Sequence, residues 1–231
     1  MAGPASLTER SLSDLADPAD TVVELIADPS CPWCYIGFRR LARLQVERPF
    51  LLRWRPFLLD PYLPAEGIER ALYTQRRLGG TEAGRRLDLR IAAVGRADGI
   101  RFEFERIRRA PSTILAQALL LEAQRRGRLA ATAEFVFRTF FTEGGDIGDP
   151  TLLARLARQL ALEPPEATPA GTAAILAMHQ AATEEVVSGV PVFRFAGRYT
   201  VAGAQPEEVL GAMLDLARYQ ARQPAAAGRS P

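Results

Sequence analysis

Two cysteines stand three positions apart in Cys31-Pro32-Trp33-Cys34, and they are the only two among 231 residues. Sulfur can serve as nucleophile, metal ligand or half of a disulfide, so spacing and setting decide which chemistry is open. Residues at i and i+3 share a helix face, which lets two sulfurs meet. Pro32 suits the first helical turn, where a missing N–H costs nothing. Cys31 then falls at the helix start, where unpaired N–H groups and the helix dipole favour a thiolate over a thiol. That is the setting of a redox dithiol. Zinc wants about four ligands, and the chain offers no third cysteine and a single histidine, His179. Two buried structural thiols would be ordinary, but packing alone does not call for a Cys-Pro-aromatic-Cys run after an apolar strand.

The elements around the pair are legible. Thr21-Val22-Val23-Glu24-Leu25-Ile26 is the pattern of a buried strand. Tyr35, Phe38, Leu41 and Leu44 recur at helical spacing, so a helix runs to about Gln45. Phe50 to Phe57 is a second strand, roughly parallel to the first through the helical crossover, with Pro56 at its end. From about Ala65 to Val187 the pattern is almost entirely helical. The helices are expected over Leu72–Leu78, Ala83–Arg96, Ser112–Arg126 and Leu129–Phe141, then from Asp149-Pro150, and over Ala173–Val187. Asp149 caps the fifth and Pro150 takes its first position. Glu163 to Pro169 is expected to link the last two. The pattern then reverts to strand at Val190–Phe195, turn at Ala196-Gly197-Arg198 and strand at Tyr199–Ala202. A last helix starts at Pro206-Glu207-Glu208, its acidic first turn suiting the dipole.

This order, β-α-β, helical block, β-β-α, predicts an α/β protein with a thioredoxin-like fold and a large all-helical insertion. The expected division is a polar lead over 1–20, a discontinuous thioredoxin-like domain over 21–64 and 188–222, a helical insertion over 65–187 and a disordered tail over 223–231. The reactive residues would come from the two ends of the chain, near 31–34 and 188–192.

Composition narrows the function. The formal charge is +2, from 29 basic and 27 acidic residues. All the basic residues are arginine and are interspersed with acidic ones, without the clustering that nucleic-acid binding needs. No apolar run reaches the roughly 18 residues of a membrane span. The first 20 residues lack the cationic and apolar regions of a secretion signal. A cytoplasmic location is expected, where a disulfide is more often catalytic than structural.

Several runs of residues resemble the DsbA family of thioredoxin-fold proteins, and most of all its cytoplasmic FrnE-like branch. They are Asp28-Pro29-Ser30-Cys31-Pro32-Trp33-Cys34-Tyr35-Ile36-Gly37, Trp54-Arg55-Pro56-Phe57, Glu143-Gly144-Gly145-Asp146-Ile147, Ser188-Gly189-Val190-Pro191-Val192-Phe193 and Gly203-Ala204-Gln205-Pro206. The resemblance implies that Cys31 is the exposed nucleophile, that Cys34 resolves the mixed disulfide, and that Pro191 is a cis-proline facing the dithiol. Pro32, Trp33, Val190 and Pro191 would contact substrate. Glu24 and Asp28 are the candidate proton acceptors for Cys34, each with an ordinary alternative as a solvated carboxylate. The sequence departs from its relatives at Gln117, where they often carry histidine; glutamine cannot relay a proton there. His179 is expected to be a packed or surface residue.

The activity so implied is a cytoplasmic thiol–disulfide oxidoreductase or isomerase. Its partners would be disulfide- or thiol-containing proteins or small molecules, with glutathione as a conceivable thiol partner and no metal, cofactor, nucleic acid or membrane. The same fold supports a second class, glutathione-dependent enzymes of the kappa-class transferase or 2-hydroxychromene-2-carboxylate isomerase type, which typically carry serine at the first cysteine position. A third class is a non-catalytic holdase or assembly module.

Overall fold

The computed structural model of the chain describes residues 21–185 and 189–221. The expected N-terminal lead, the C-terminal tail, and the end of the helix expected to reach Val187 lie outside the described residues. The chain opens with β1 (Val22–Ala27), α1 (Pro32–Glu47) and β2 (Leu51–Pro56). A helical section follows: α2 (Arg70–Arg77), α3 (Thr81–Ala97), α4 (Ile114–Arg125), α5 (Leu129–Phe141), α6 (Pro150–Gln159) and α7 (Pro169–Glu185). It closes with β5 (Val192–Phe195), β6 (Tyr199–Ala202) and α8 (Glu207–Ala221). The main sheet has the order β2-β1-β5-β6, with β1 parallel to β2 and the other pairs antiparallel. This is the thioredoxin-like architecture, with the helices inserted between β2 and β5.

The expected, almost entirely helical block contains a small strand pair. Two short strands, β3 (Ile68–Glu69) and β4 (Arg109–Ala110), pair antiparallel and close the α2–α3 excursion at its base. Helix α7 also starts earlier than expected, at Pro169 rather than Ala173. Thr168 Oγ1 accepts from the Gly171 N–H at 3.0 Å, so Thr168-Pro169 is a helix start and not linker. Asp149 caps α6 as expected, accepting from Thr151 N–H at 2.8 Å.

Central position in the sheet explains the composition of β1. Val23, Leu25 and Ala27 are buried in the large core with Leu41 of α1, Leu214 of α8 and Phe137 of α5. Ile26, on the opposite face, meets Val192 of β5 and Ala182 of α7. The large core runs without a break from the sheet into α4, α5 and α6 through Trp54, Leu119, Phe137 and Leu153. The sheet and helices α3 to α6 therefore share one interior.

Candidate active site

The turn that presents the cysteines is built by Asp28. Its Oδ1 accepts from Ser30 N–H at 2.7 Å and from the Ser30 hydroxyl at 2.8 Å, and its main-chain oxygen accepts from Cys31 N–H at 3.0 Å. An aspartate bonding its own backbone two residues on is a local turn former. The chain leaves this turn with Cys31 as N-cap of α1 and Pro32 at the helix start. No acidic side chain occupies the first turn of α1; the nearby carboxyl is that of Asp28, in the turn before it.

Both cysteines are free thiols and both are buried, Cys31 at 4% and Cys34 at 0% relative exposure, so Cys31 is the more accessible of the two but not the exposed residue that the resemblance implies. The two sulfurs lie within hydrogen-bonding range of each other. Burial, first of all, pushes the Cys34 thiol well above the ordinary range of a cysteine. Its hydrogen bond with Cys31 and the charges of Cys31 and Asp28 add to this, while the Asp28 main-chain N–H opposes it. Cys34 thus favours the protonated thiol and needs a base to become a nucleophile.

From the far end of the chain, the Cys31 thiol donates to the Val190 main-chain oxygen at 3.7 Å, and the Val190–Pro191 peptide is cis. Gly37, one turn beyond Cys34, makes this meeting possible. A Cβ at Gly37 would lie 2.8 Å from Phe193 Cζ and 3.2 Å from Pro191 Cγ. Only a residue without a side chain lets α1 approach so near. Pro32 and Trp33 are half-buried beside the pair.

The two candidate carboxylates are in different places. Asp28 is buried within reach of Cys34. Its Oδ2 accepts from Leu59 N–H at 2.7 Å and from the Thr113 hydroxyl at 3.2 Å. Burial raises its pKa above the ordinary carboxylate value, and the bonds from Leu59, Ser30 and Thr113 partly pull it back. Glu24 is not at the dithiol. It shares a sheet face with Ile26 and lies between Arg53 (3.6 Å), Arg55 (3.8 Å) and Arg194 (3.5 Å). Alternation along β1 sends it away from the face that α1 covers. Arg55 and Arg194 both also bind Glu185, which ties α7 to the sheet. Glu24 belongs to this ion network and is withdrawn as a proton acceptor.

Sequence reasoning did not find the polar partners supplied by α4. Gln117 is wholly buried and accepts from the Trp54 indole N–H at 2.6 Å. It donates to the main-chain oxygens of Ala27 at 3.1 Å and Phe57 at 2.8 Å. Gln117 thereby pins the ends of β1 and β2 just before the dithiol turn, a structural task rather than proton relay. The signal for it was a polar residue amid the apolar face Leu115–Ala123. His179 is half-buried, accepts from Leu58 N–H at 3.1 Å through Nδ1 and packs edge-on to Phe57. Burial lowers its pKa from the ordinary value.

A reduced pair of thiols at a helix start, under a cis-proline of a thioredoxin-like sheet, defines a thioredoxin-fold dithiol protein. The model of the DsbA-like thioredoxin domain matches residues 22–215, and the chain belongs to that family. A probable DsbA oxidoreductase from Streptomyces coelicolor is 25% identical, with 90% of this chain and 94% of that one covered at a TM-score of 0.71. The cytosolic disulfide reductase DsbM from Pseudomonas aeruginosa shares the fold at 21% identity and a TM-score of 0.60, covering 84% and 99% of the two chains. A 2-hydroxychromene-2-carboxylate isomerase shares it at 18% identity and 0.66, covering 87% and 98%. No curated protein matches the sequence. Among the described residues no group of three or more His, Cys, Asp or Glu could hold a metal ion, and no helix is long and apolar enough to cross a membrane.

Proposed function

We propose that the chain is a cytoplasmic thiol–disulfide oxidoreductase whose Cys31–Cys34 dithiol reduces or rearranges disulfides in proteins or small molecules. The observation that carries this reading is the placement of the Cys31 sulfur, at the start of α1 and 3.7 Å from the Val190 oxygen beside Pro191. In the reducing direction, the Cys31 thiolate attacks one sulfur of a substrate disulfide, R–S–S–R′. The R–S⁻ half leaves and a Cys31–S–S–R′ mixed disulfide forms. Asp28 takes the proton of Cys34, whose thiolate then attacks Cys31 Sγ. The Cys31–Cys34 disulfide forms, R′–S⁻ leaves and is protonated, and two electrons have passed from the dithiol to the substrate. The main-chain N–H and C=O of Val190 would pair with an extended substrate segment, and Trp33 would offer it an aromatic face.

Electrons would return from a small thiol. DsbM has been crystallised with GSH, which makes glutathione the first thiol to try; two glutathiones would give one glutathione disulfide. Between the cysteines, Trp33 carries no positive charge to hold a thiolate, so the potential is expected between ~−120 mV, a strong oxidant, and ~−270 mV, thioredoxin. Against a cytoplasm near −220 to −260 mV by extraction, roughly, the dithiol would sit mostly reduced and serve as reductase or isomerase. The test is insulin reduction by the wild type and Cys31→Ser. Turnover by the wild type and none by the variant is expected. Equal activity in both would refute the assignment. Glutathione-dependent isomerisation without insulin reduction would favour the second enzyme class, which has no use for the Cys34 sulfur.

A further inference from the structure

We propose that Thr113 is a positioning residue of this reaction: its hydroxyl is the movable partner that lets the buried Asp28 carboxyl gain and release the Cys34 proton. The inference deepens the proposed oxidoreductase activity and rests on it.

Asp28 accepts four hydrogen bonds. Oδ1 holds Ser30 N–H and the Ser30 hydroxyl, and Oδ2 holds Leu59 N–H and the Thr113 hydroxyl. All four donors suit the ionised carboxylate. A protonated carboxyl must itself donate, and a main-chain N–H cannot turn round to accept. Only a hydroxyl can reverse. Ser30 is tied twice to Oδ1 within one turn, at 2.7 Å by its N–H and 2.8 Å by its hydroxyl. The Thr113 bond, at 3.2 Å, is the longest of the four and the first to give way. Oδ2 is therefore where the proton goes, with Thr113 Oγ1 as its acceptor. Thr113 is 5% exposed, which leaves little room for water to take its place.

A second observation agrees. Thr113 is the N-cap residue of α4, yet its side chain makes no capping bond. A threonine at this position ordinarily bonds the helix N–H groups. Here the hydroxyl is turned from its local task toward Asp28. Gln117 lies one turn further along the same helix face, and its bonds to Ala27 and Phe57 hold α4 against the end of β1. The insertion thus places Thr113 beside the dithiol's own carboxyl. Electrostatic coupling links Asp28 to Cys34 of α1 and to Tyr73 of α2. From α4 no charged group faces it, so Thr113→Val changes a hydrogen bond and not a charge.

The test uses the full chain and glutathione disulfide. The first step, attack by Cys31, is isolated in a Cys34→Ser background. The second, release of the remaining glutathione by Cys34, is followed against pH in the presence of Cys34. In Thr113→Val the ionised Asp28 loses a charge-assisted bond, so the acid limb of the second step moves to higher pH. On that limb the rate falls by about tenfold, the weight of one weak bond to a charged group. The first step keeps its profile, and Thr113→Ser restores the second. Thr113→Ala, which adds no methyl against the carboxylate, replaces the valine variant if that one does not fold. A Thr113→Val profile that overlays the wild type overturns the inference, as does uniform slowing of both steps or failure of serine to restore. If the wild type does not reduce glutathione disulfide or insulin at all, the oxidoreductase reading itself has failed, and the two failures are told apart.

Discussion

Gly37→Ala tests whether the approach of α1 to Pro191 sets the site. In isolation the change should help, because glycine inside a helix costs about 0.5–1 kcal/mol relative to alanine. Packing says otherwise. The new Cβ would lie 2.8 Å from Phe193 Cζ and 3.2 Å from Pro191 Cγ. Carbon atoms settle at about 3.5–4 Å, so the strand or the helix must give by roughly 0.5–1 Å. Phe193 is wholly buried, and Pro191 is buried with it. Overpacking of this kind costs about 1–3 kcal/mol, for a net loss of up to about 2.5 kcal/mol. Activity should suffer more than stability, since the same push moves the Val190 oxygen relative to Cys31. A misplacement near 1 Å can cost up to about a hundredfold in rate. Gly211→Ala in α8 is the matched control: its Cβ would meet Arg48 Nη1 at 3.4 Å and Leu44 Cδ1 at 3.6 Å, contacts that ask for little movement. Urea unfolding of the two reduced variants should show a lower midpoint for Gly37→Ala alone, at unchanged slope, and insulin reduction should fall in it alone. If both variants unfold and turn over alike, the close approach does not position Pro191 and the reasoning is wrong.

Alkylation of the reduced protein at neutral pH should label Cys31 first and leave Cys34 protected, because burial keeps Cys34 a thiol; mass mapping that finds Cys34 labelled first would reverse the two roles. Trp33→His should add a cation beside the Cys31 sulfur and stabilise the reduced form, raising the reduction potential measured against glutathione; an unchanged potential means the intervening residue does not set the poise. His179 should make folding weaker in mild acid. Its folded pKa lies below its ordinary 6.5, so below that pH the unfolded chain binds a proton that the folded one refuses. That stability is present above 6.5 and is lost as pH falls toward the folded value. Unfolding midpoints taken at pH 7.5 and 5.5 should differ less in His179→Gln, and an equal difference would show that His179 contributes nothing.

The strand–helix–strand opening and the closing hairpin and helix were legible because alternation and helical spacing are strong there. The β3–β4 ribbon was not, since Ile68–Glu69 and Arg109–Ala110 are too short to show a period and pair Ile68 with Ala110 and Glu69 with Arg109, far apart in the chain. The start of α7 was legible in principle. Thr168-Pro169 follows the same cap-then-proline rule that found Asp149-Pro150, but the surrounding Glu163-Pro164-Pro165-Glu166 drew it into a linker. Parity along β1 also separates Glu24 from Leu25 and Ala27, and so from the face bearing α1. What spacing could not reveal is the cage around Asp28. Leu59 and Thr113 lie 31 and 85 positions away from it, and only the packing of α4 on the end of β1 brings them together. The cysteine pair carries its own local signal, whereas the groups that govern its protons come from distant chain.

The two tryptophans give the molecule a pair of independent optical probes. Trp33 stands between the two cysteines in sequence and is half-buried, and Trp54 is 1% exposed in the core, its indole N–H bound to Gln117. A disulfide quenches a neighbouring indole by electron transfer over a few ångströms, so emission from Trp33 reports closure of the Cys31–Cys34 bond. Trp54, screened by the core, changes only when its surroundings open to water. Chemistry and unfolding can therefore be followed in one cuvette without an added dye, each with the other tryptophan as its internal reference.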